Sequence, residues 1–119
     1  MSKINPLKDF GVPVPSPAPA DTDHLIVYYG VQGFTPSYSQ AERVDAGAVS
    51  TLTTKTVNGV SYWDDPISAE LPGGLASGAY DFAFTLMDAN GNEGDFSPPI
   101  TAMVDTTVPP TLGQPVVLG

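Results

Sequence analysis

The sequence predicts an all-β chain folded as an antiparallel β-sandwich, and three observations predict it. Thirteen prolines and twelve glycines among 119 residues leave little uninterrupted chain for helices. Over the stretch 79–88, Tyr80, Phe82, Phe84 and Leu86 recur with period two while smaller or polar residues fill most of the positions between them, the pattern of a half-buried strand. Turn signals return about every 8 to 12 residues, a spacing that suits a sandwich better than alternating helices and strands.

Taken in order, residues 1–20 form a proline-rich arm. In Val12-Pro13-Val14-Pro15-Ser16-Pro17-Ala18-Pro19 every second residue lacks an amide hydrogen, which forbids helix and central strand and favours extended polyproline II. The arm offers Ile4, Leu7, Phe10, Val12, Pro13, Val14 and Pro15 for contact with another protein; a floppy linker is the competing reading of the same segment. The sandwich is expected over residues 21–104. Leu25-Ile26-Val27-Tyr28-Tyr29 is dense in β-branched and aromatic residues, apolar on both faces, and ends at Gly30, so it reads as a covered strand. Residues 30–50 read as a long loop with one helical turn at Ala41 to Val44. Val49 to Val57 and Val60 to Trp63 flank Asn58-Gly59, a pair that tolerates the positive φ angles of a type I′ hairpin turn. Asp64-Asp65-Pro66 breaks the return strand, Ile67 to Leu71 can form another, and Pro72-Gly73-Gly74 turns the chain. After the ladder ending at Leu86, Asn90-Gly91-Asn92 marks a turn and Ile100 to Val104 a further strand. Residues 105–119 read as a linker-like tail whose final apolar residues are a candidate extra strand.

Charge and composition exclude several classes. Thirteen acidic residues against four basic ones give a net charge of −9, and phosphate backbones and anionic lipid surfaces need clustered Lys and Arg. Neither nucleic acid nor membrane is an expected partner. The imbalance is uneven, since residues 1–20 carry Lys3, Lys8 and Asp9, a net of +1 that leaves −10 for the remainder. Cysteine is absent, which excludes disulfides, thiolate metal sites and a cysteine nucleophile. No apolar run reaches the ~20 residues needed to span a bilayer, and the start has no signal-peptide pattern. Synthesis without an export leader, in the cytoplasm, is therefore expected.

Candidate chemistry is sparse. His24, the single histidine, sits at the start of an expected strand with no nucleophile turn such as Gly-x-Ser-x-Gly elsewhere, so Ser–His catalysis is disfavoured. Asp64 and Asp65 are adjacent in a turn, where their side chains diverge, rather than paired across a cleft. The loop from Asp88 to Asp95 resembles the opening of a calcium loop, but the glycine required at its sixth position is Glu93 and the acid required at its twelfth is Pro99. Trp63, Tyr62, Tyr28 and Tyr38 are the material for a carbohydrate platform, though a sandwich of this size also needs several aromatics inside. No enzyme activity, catalytic residue, metal or cofactor is expected.

Between about residues 67 and 110 the sequence resembles the last three strands of fibronectin type III and related immunoglobulin-like repeats. The residues that carry this are Leu75-Ala76-Ser77-Gly78-Ala79-Tyr80, Phe82, Phe84, Asp88-Ala89-Asn90-Gly91-Asn92-Glu93, Ser97-Pro98-Pro99 and Asp105-Thr106-Thr107-Val108-Pro109-Pro110. The resemblance implies an immunoglobulin-like antiparallel sandwich and a tyrosine corner, in which the Tyr80 phenol bonds backbone near Leu75. Upstream the pattern departs: the usual core tryptophan is missing from the strand at Leu25 to Tyr29, and Trp63 sits elsewhere. The proline-rich start cannot supply two further strands, whereas Thr111 to Leu118 looks like a surplus one. Donation of a strand between neighbouring copies follows as an expectation.

Such repeats usually occur outside cells, yet this chain has neither leader nor cysteine, a combination that virion proteins of bacteriophages satisfy. The resemblance therefore implies a structural virion protein, assembled in the host cytoplasm: a capsid decoration or cement protein that binds the major capsid protein and copies of itself, oligomeric on the particle. The alternatives are a phage tail or fibre module, a bacterial surface adhesion module that binds carbohydrate, and a spacer repeat of a larger secreted protein.

Overall fold

A computed structural model describes residues 10–66, 75–104 and 112–118. The chain is all-β, and the described residues form seven strands: β1 (Gly11–Pro13), β2 (His24–Val31), β3 (Arg43–Ala48), β4 (Thr54–Val57), β5 (Val60–Asp64), β6 (Gly78–Met87) and β7 (Ile100–Val104). They form two antiparallel sheets, one ordered β1-β5-β4 and the other β3-β2-β6-β7. Side chains from both meet in one core, which gives the molecule its sandwich-like character. The expected strand at Ile67 to Leu71 and the arm residues Ile4 and Leu7 lie outside the described residues.

The core follows from alternation. On β2, Leu25, Val27 and Tyr29 turn inward, and opposite them on β6 stand the half-buried Leu86 and the buried Phe84 and Phe82, with Tyr80 further along the same face. Trp63 closes this layer from β5, and Ala102 and Val104 from β7. Phe82 and Val27 are fully buried, and burying a side chain of that size contributes about 1.5 to 3 kcal/mol. The hairpin at Asn58-Gly59 forms as the sequence predicts: φ is +51° at Asn58 and +79° at Gly59, and Val57 pairs with Val60 across the turn.

Three segments depart from expectation. Residues 41–44 do not form a helical turn, because Arg43–Ala48 is an edge strand paired with β2. Val49–Thr51 is a short 3-10 turn, so the fourth strand starts only at Thr54. The start of the chain differs most. Gly11–Pro13 is β1, paired antiparallel with β5 so that Val12 faces Trp63, and Phe10, Val12 and Val14 pack against the core. Residues 10–14 are thus part of the sandwich-like body rather than of an arm free of it.

Proline is excluded from central strands, and among the described residues β1 is an edge strand with one neighbour. The Val14 amide donates to the Ser61 carbonyl at 3.0 Å and the Asp65 amide to the Phe10 carbonyl at 3.2 Å. The even-numbered residues therefore turn their amides toward β5, and the amide positions of Gly11, Pro13 and Pro15 point away from it. Proline stands where an amide hydrogen would otherwise be left open at the sheet edge.

Candidate functional site

Two places gather side chains that β-strand alternation alone does not explain. The first lies on the outer face of β2 and β6. An open sheet would expose Ile26, Tyr28, Ala83 and Thr85 to water there, yet all four are buried. Their cover comes from β3 and from the turn after β6. Phe96 packs edge-on against Tyr28 with ring centroids 4.9 Å apart, and Tyr38 stacks on Phe96 at 4.3 Å. Beneath these rings the Tyr28 hydroxyl donates to Glu93. Arg43 donates through Nη2 to Glu93 Oε1 at 2.7 Å and through Nε to the Tyr28 oxygen at 3.0 Å, and Thr85 donates to Glu93 Oε2 at 2.7 Å.

Glu93 is the hub of this network. Its burial would push the carboxyl pKa up, but hydrogen bonds from Tyr28, Thr85 and Arg43, with the Arg43 charge, hold it below the usual range. The Tyr28 phenol moves the other way, raised by burial and by donating to Glu93. Two further carboxylates are held low on the same surface. Asp88 accepts the amides of Asn90 and Asn92, each at 2.9 Å, and the Asn92 side chain at 3.1 Å, with Asn92 the chief cause of its lowered pKa. Asp81 accepts Thr101 Oγ1 at 2.5 Å and the Gly33 amide at 2.9 Å, which lower its pKa in that order.

These contacts give the calcium-like loop a different role. Asp88 closes the Asn-Gly turn, and Glu93 points inward to Arg43 instead of outward toward a cation. Among the described residues no group of three metal-ligating side chains converges. His24 meets Asp45 at 3.0 Å near the surface, a strand-end pair in which both side chains are more than a third exposed.

The second place is a cleft of about 260 Å3 between the sheets. Val12, Leu25, Trp63, Phe84 and Leu86 form its apolar wall, Pro13 and Pro15 one rim, and Gly94, Asp95 and Ser97 the other. Here β7 does not extend far enough to pair with the second half of β6. Ser97 substitutes locally, donating its amide to the Phe84 carbonyl at 2.8 Å and accepting the Phe84 amide on Oγ at 2.9 Å.

The expected site residues are thus distributed unequally. Phe10, Val12 and Val14 face the core, while Pro13 and Pro15 are exposed at the cleft rim. The Tyr80 hydroxyl donates to backbone near Leu75, at the Ala76 carbonyl 2.8 Å away, and Leu75 packs half-buried against the core. Of the rings considered for a carbohydrate platform, Trp63 and Tyr28 are buried and Tyr38 is exposed. The Tyr28–Arg43–Glu93–Thr85 network had no signal in the sequence beyond a lone arginine in an acidic chain. Residues 112–118 form no strand, and Leu112, Val116, Val117 and Leu118 are exposed.

The fold and these two places define an all-β module with two antiparallel sheets and an apolar cleft between them. Searches of protein-family models, curated proteins and solved structures give no match.

Proposed function

We propose that the chain is an immunoglobulin-like structural module that works by protein contact, as a capsid decoration or cement protein of a virion. The sheet orders support the immunoglobulin-like reading, since β1-β5-β4 and β3-β2-β6-β7 follow the strand neighbours of that fold with its first strand left out. The observation that carries the functional reading is how the polar and apolar groups are spent. Glu93, Asp88 and Asp81 are taken up by partners inside the fold. Large apolar side chains stand exposed instead at a sheet edge and in the tail, at Met103 and from Leu112 to Leu118. Contact surfaces, not a reactive centre, are what this arrangement offers a partner.

The shell protein would be met by the residues before β1, including Ile4 and Leu7, and by the exposed edges, with the acidic body facing outward. Because residues 10–14 belong to the body, the deletion that tests this removes residues 2–9 and leaves β1 in place. Purified particles of the virus that encodes the chain should carry the full-length protein in fixed copy number by quantitative mass spectrometry, and should lose the truncated one while its melting temperature is unchanged. Equal incorporation of both forms would contradict the arm as anchor, and absence of the full-length chain from particles would contradict the virion reading itself.

A further inference from the structure

We propose that the C-terminal segment of one copy, through Val116, Val117 and Leu118, docks into the inter-sheet cleft of a second copy. This deepens the contact-module reading, on which it rests, by naming a partner and the two surfaces that meet.

The cleft reaches the core. Leu25, Trp63 and Phe84, which line it, belong to the same buried cluster that joins the sheets, so an apolar side chain entering there continues the core. The segment supplies such side chains: Val116, Val117 and Leu118 are 75%, 96% and 91% exposed, and among the described residues no hydrogen bond ties residues 112–118 to the body.

Charge makes this segment suitable for meeting a second copy. The chain carries −9 overall, and the last charged residue is Asp105, so residues 106–119 have no charged side chain. Two acidic bodies can therefore be joined through a neutral connection, and among the described residues Asp95 is the one charged residue lining the cleft. The geometry also fixes the mode of docking. Pro13 and Pro15 turn their missing amides to the rim, and Pro115 lacks one in the segment, so a continuous ladder along β1 is blocked. The contact is made by side chains entering the groove rather than by strand addition.

The absence of cysteine from the sequence allows a direct test with full-length chains. Copies bearing Val117→Cys are mixed with copies bearing Asp95→Cys or, as an independent rim position, Pro15→Cys, and oxidised mildly. The control partner bears Thr56→Cys on β4, the opposite edge of the three-stranded sheet. The mixed disulfide should form severalfold faster with either rim position than with the control. Sedimentation of the wild type should show dimers or larger species that disappear on deleting residues 112–119. Equal rates for rim and control, or a monomeric wild type, would overturn the proposal. So would an intramolecular disulfide in the Val117→Cys, Asp95→Cys double variant that forms at a rate independent of concentration, since it would seat the tail in its own cleft. Because these readouts use the purified chain alone, failure here is separable from failure to join a particle.

Discussion

Replacing Glu93 by glutamine keeps the size of the side chain and removes its charge, which isolates what the buried network contributes. In the folded chain Glu93 accepts from three donors: Arg43, Thr85 and Tyr28. A glutamine has one acceptor oxygen, and its NH2 must face donors on the other side, so at least one donor among Arg43, Thr85 and Tyr28 loses its partner. Hydrogen bonds to a charged group contribute about 1.5 to 3 kcal/mol, and breaking a buried ion pair costs about 3 to 5 kcal/mol. The Glu93 side chain is 13% exposed but that of Arg43 is 32% exposed, so water recovers part of the loss, and the expected cost is about 2 kcal/mol. Urea unfolding at neutral pH measures it as a lower midpoint with the same slope. The sign of the pH dependence follows from the lowered pKa of Glu93. Its charged form stabilises the fold above the unfolded value of about 4.3 and that stability is lost as pH falls through the lower folded value. The gap between wild type and Glu93→Gln should therefore be widest at neutral pH and narrow in acid. A cost below about 0.5 kcal/mol, the range of ordinary surface substitutions, or a gap constant from pH 7 to pH 3, would refute the network as a stabilising lock.

Four further substitutions probe the rest of the fold. Val14→Pro removes the amide that bonds Ser61 and should cost about 1 to 3 kcal/mol by denaturant unfolding, whereas Pro13→Ala, at an outward position, should change stability by less than about 1 kcal/mol. Phe82→Ala empties a fully buried position and should cost about 3 to 5 kcal/mol on the same assay. Tyr80→Phe removes only the bond to Ala76 and should lower stability by about 1 kcal/mol without altering the circular-dichroism spectrum.

How far the sequence discloses the fold depends on whether a strand's neighbours are needed to explain it. The β6 ladder is legible because four large side chains alternate over seven residues, and the β4–β5 hairpin because Asn58-Gly59 has a local reason to turn. β3 is not legible. Arg43-Val44-Asp45-Ala46-Gly47-Ala48 contains one strong β former, and what makes it a strand is the edge of β2, with which it pairs across the loop 32–42 and not any alternation of its own. β1 misleads for the opposite reason. Its prolines carry a real local rule, but the rule applies to amides that face a neighbour, and here the prolines face away from one. The outer-face network is hidden by distance along the chain, since Tyr28 and Glu93 are 65 residues apart and the acidic turn around Glu93 resembles a cation loop until Arg43 is placed beside it.

The assignment of residues 10–14 to the body determines which surfaces are left for a partner, and amide hydrogen exchange tests it residue by residue. The amides of Val12 and Val14, turned toward β5, should exchange slowly and at rates that follow global stability, while the Gly11 amide, turned away from β5 just before them, should exchange near the free rate. Uniformly fast exchange from Phe10 to Val14 would contradict the account, because it would release that segment from the sandwich and return it to a free arm.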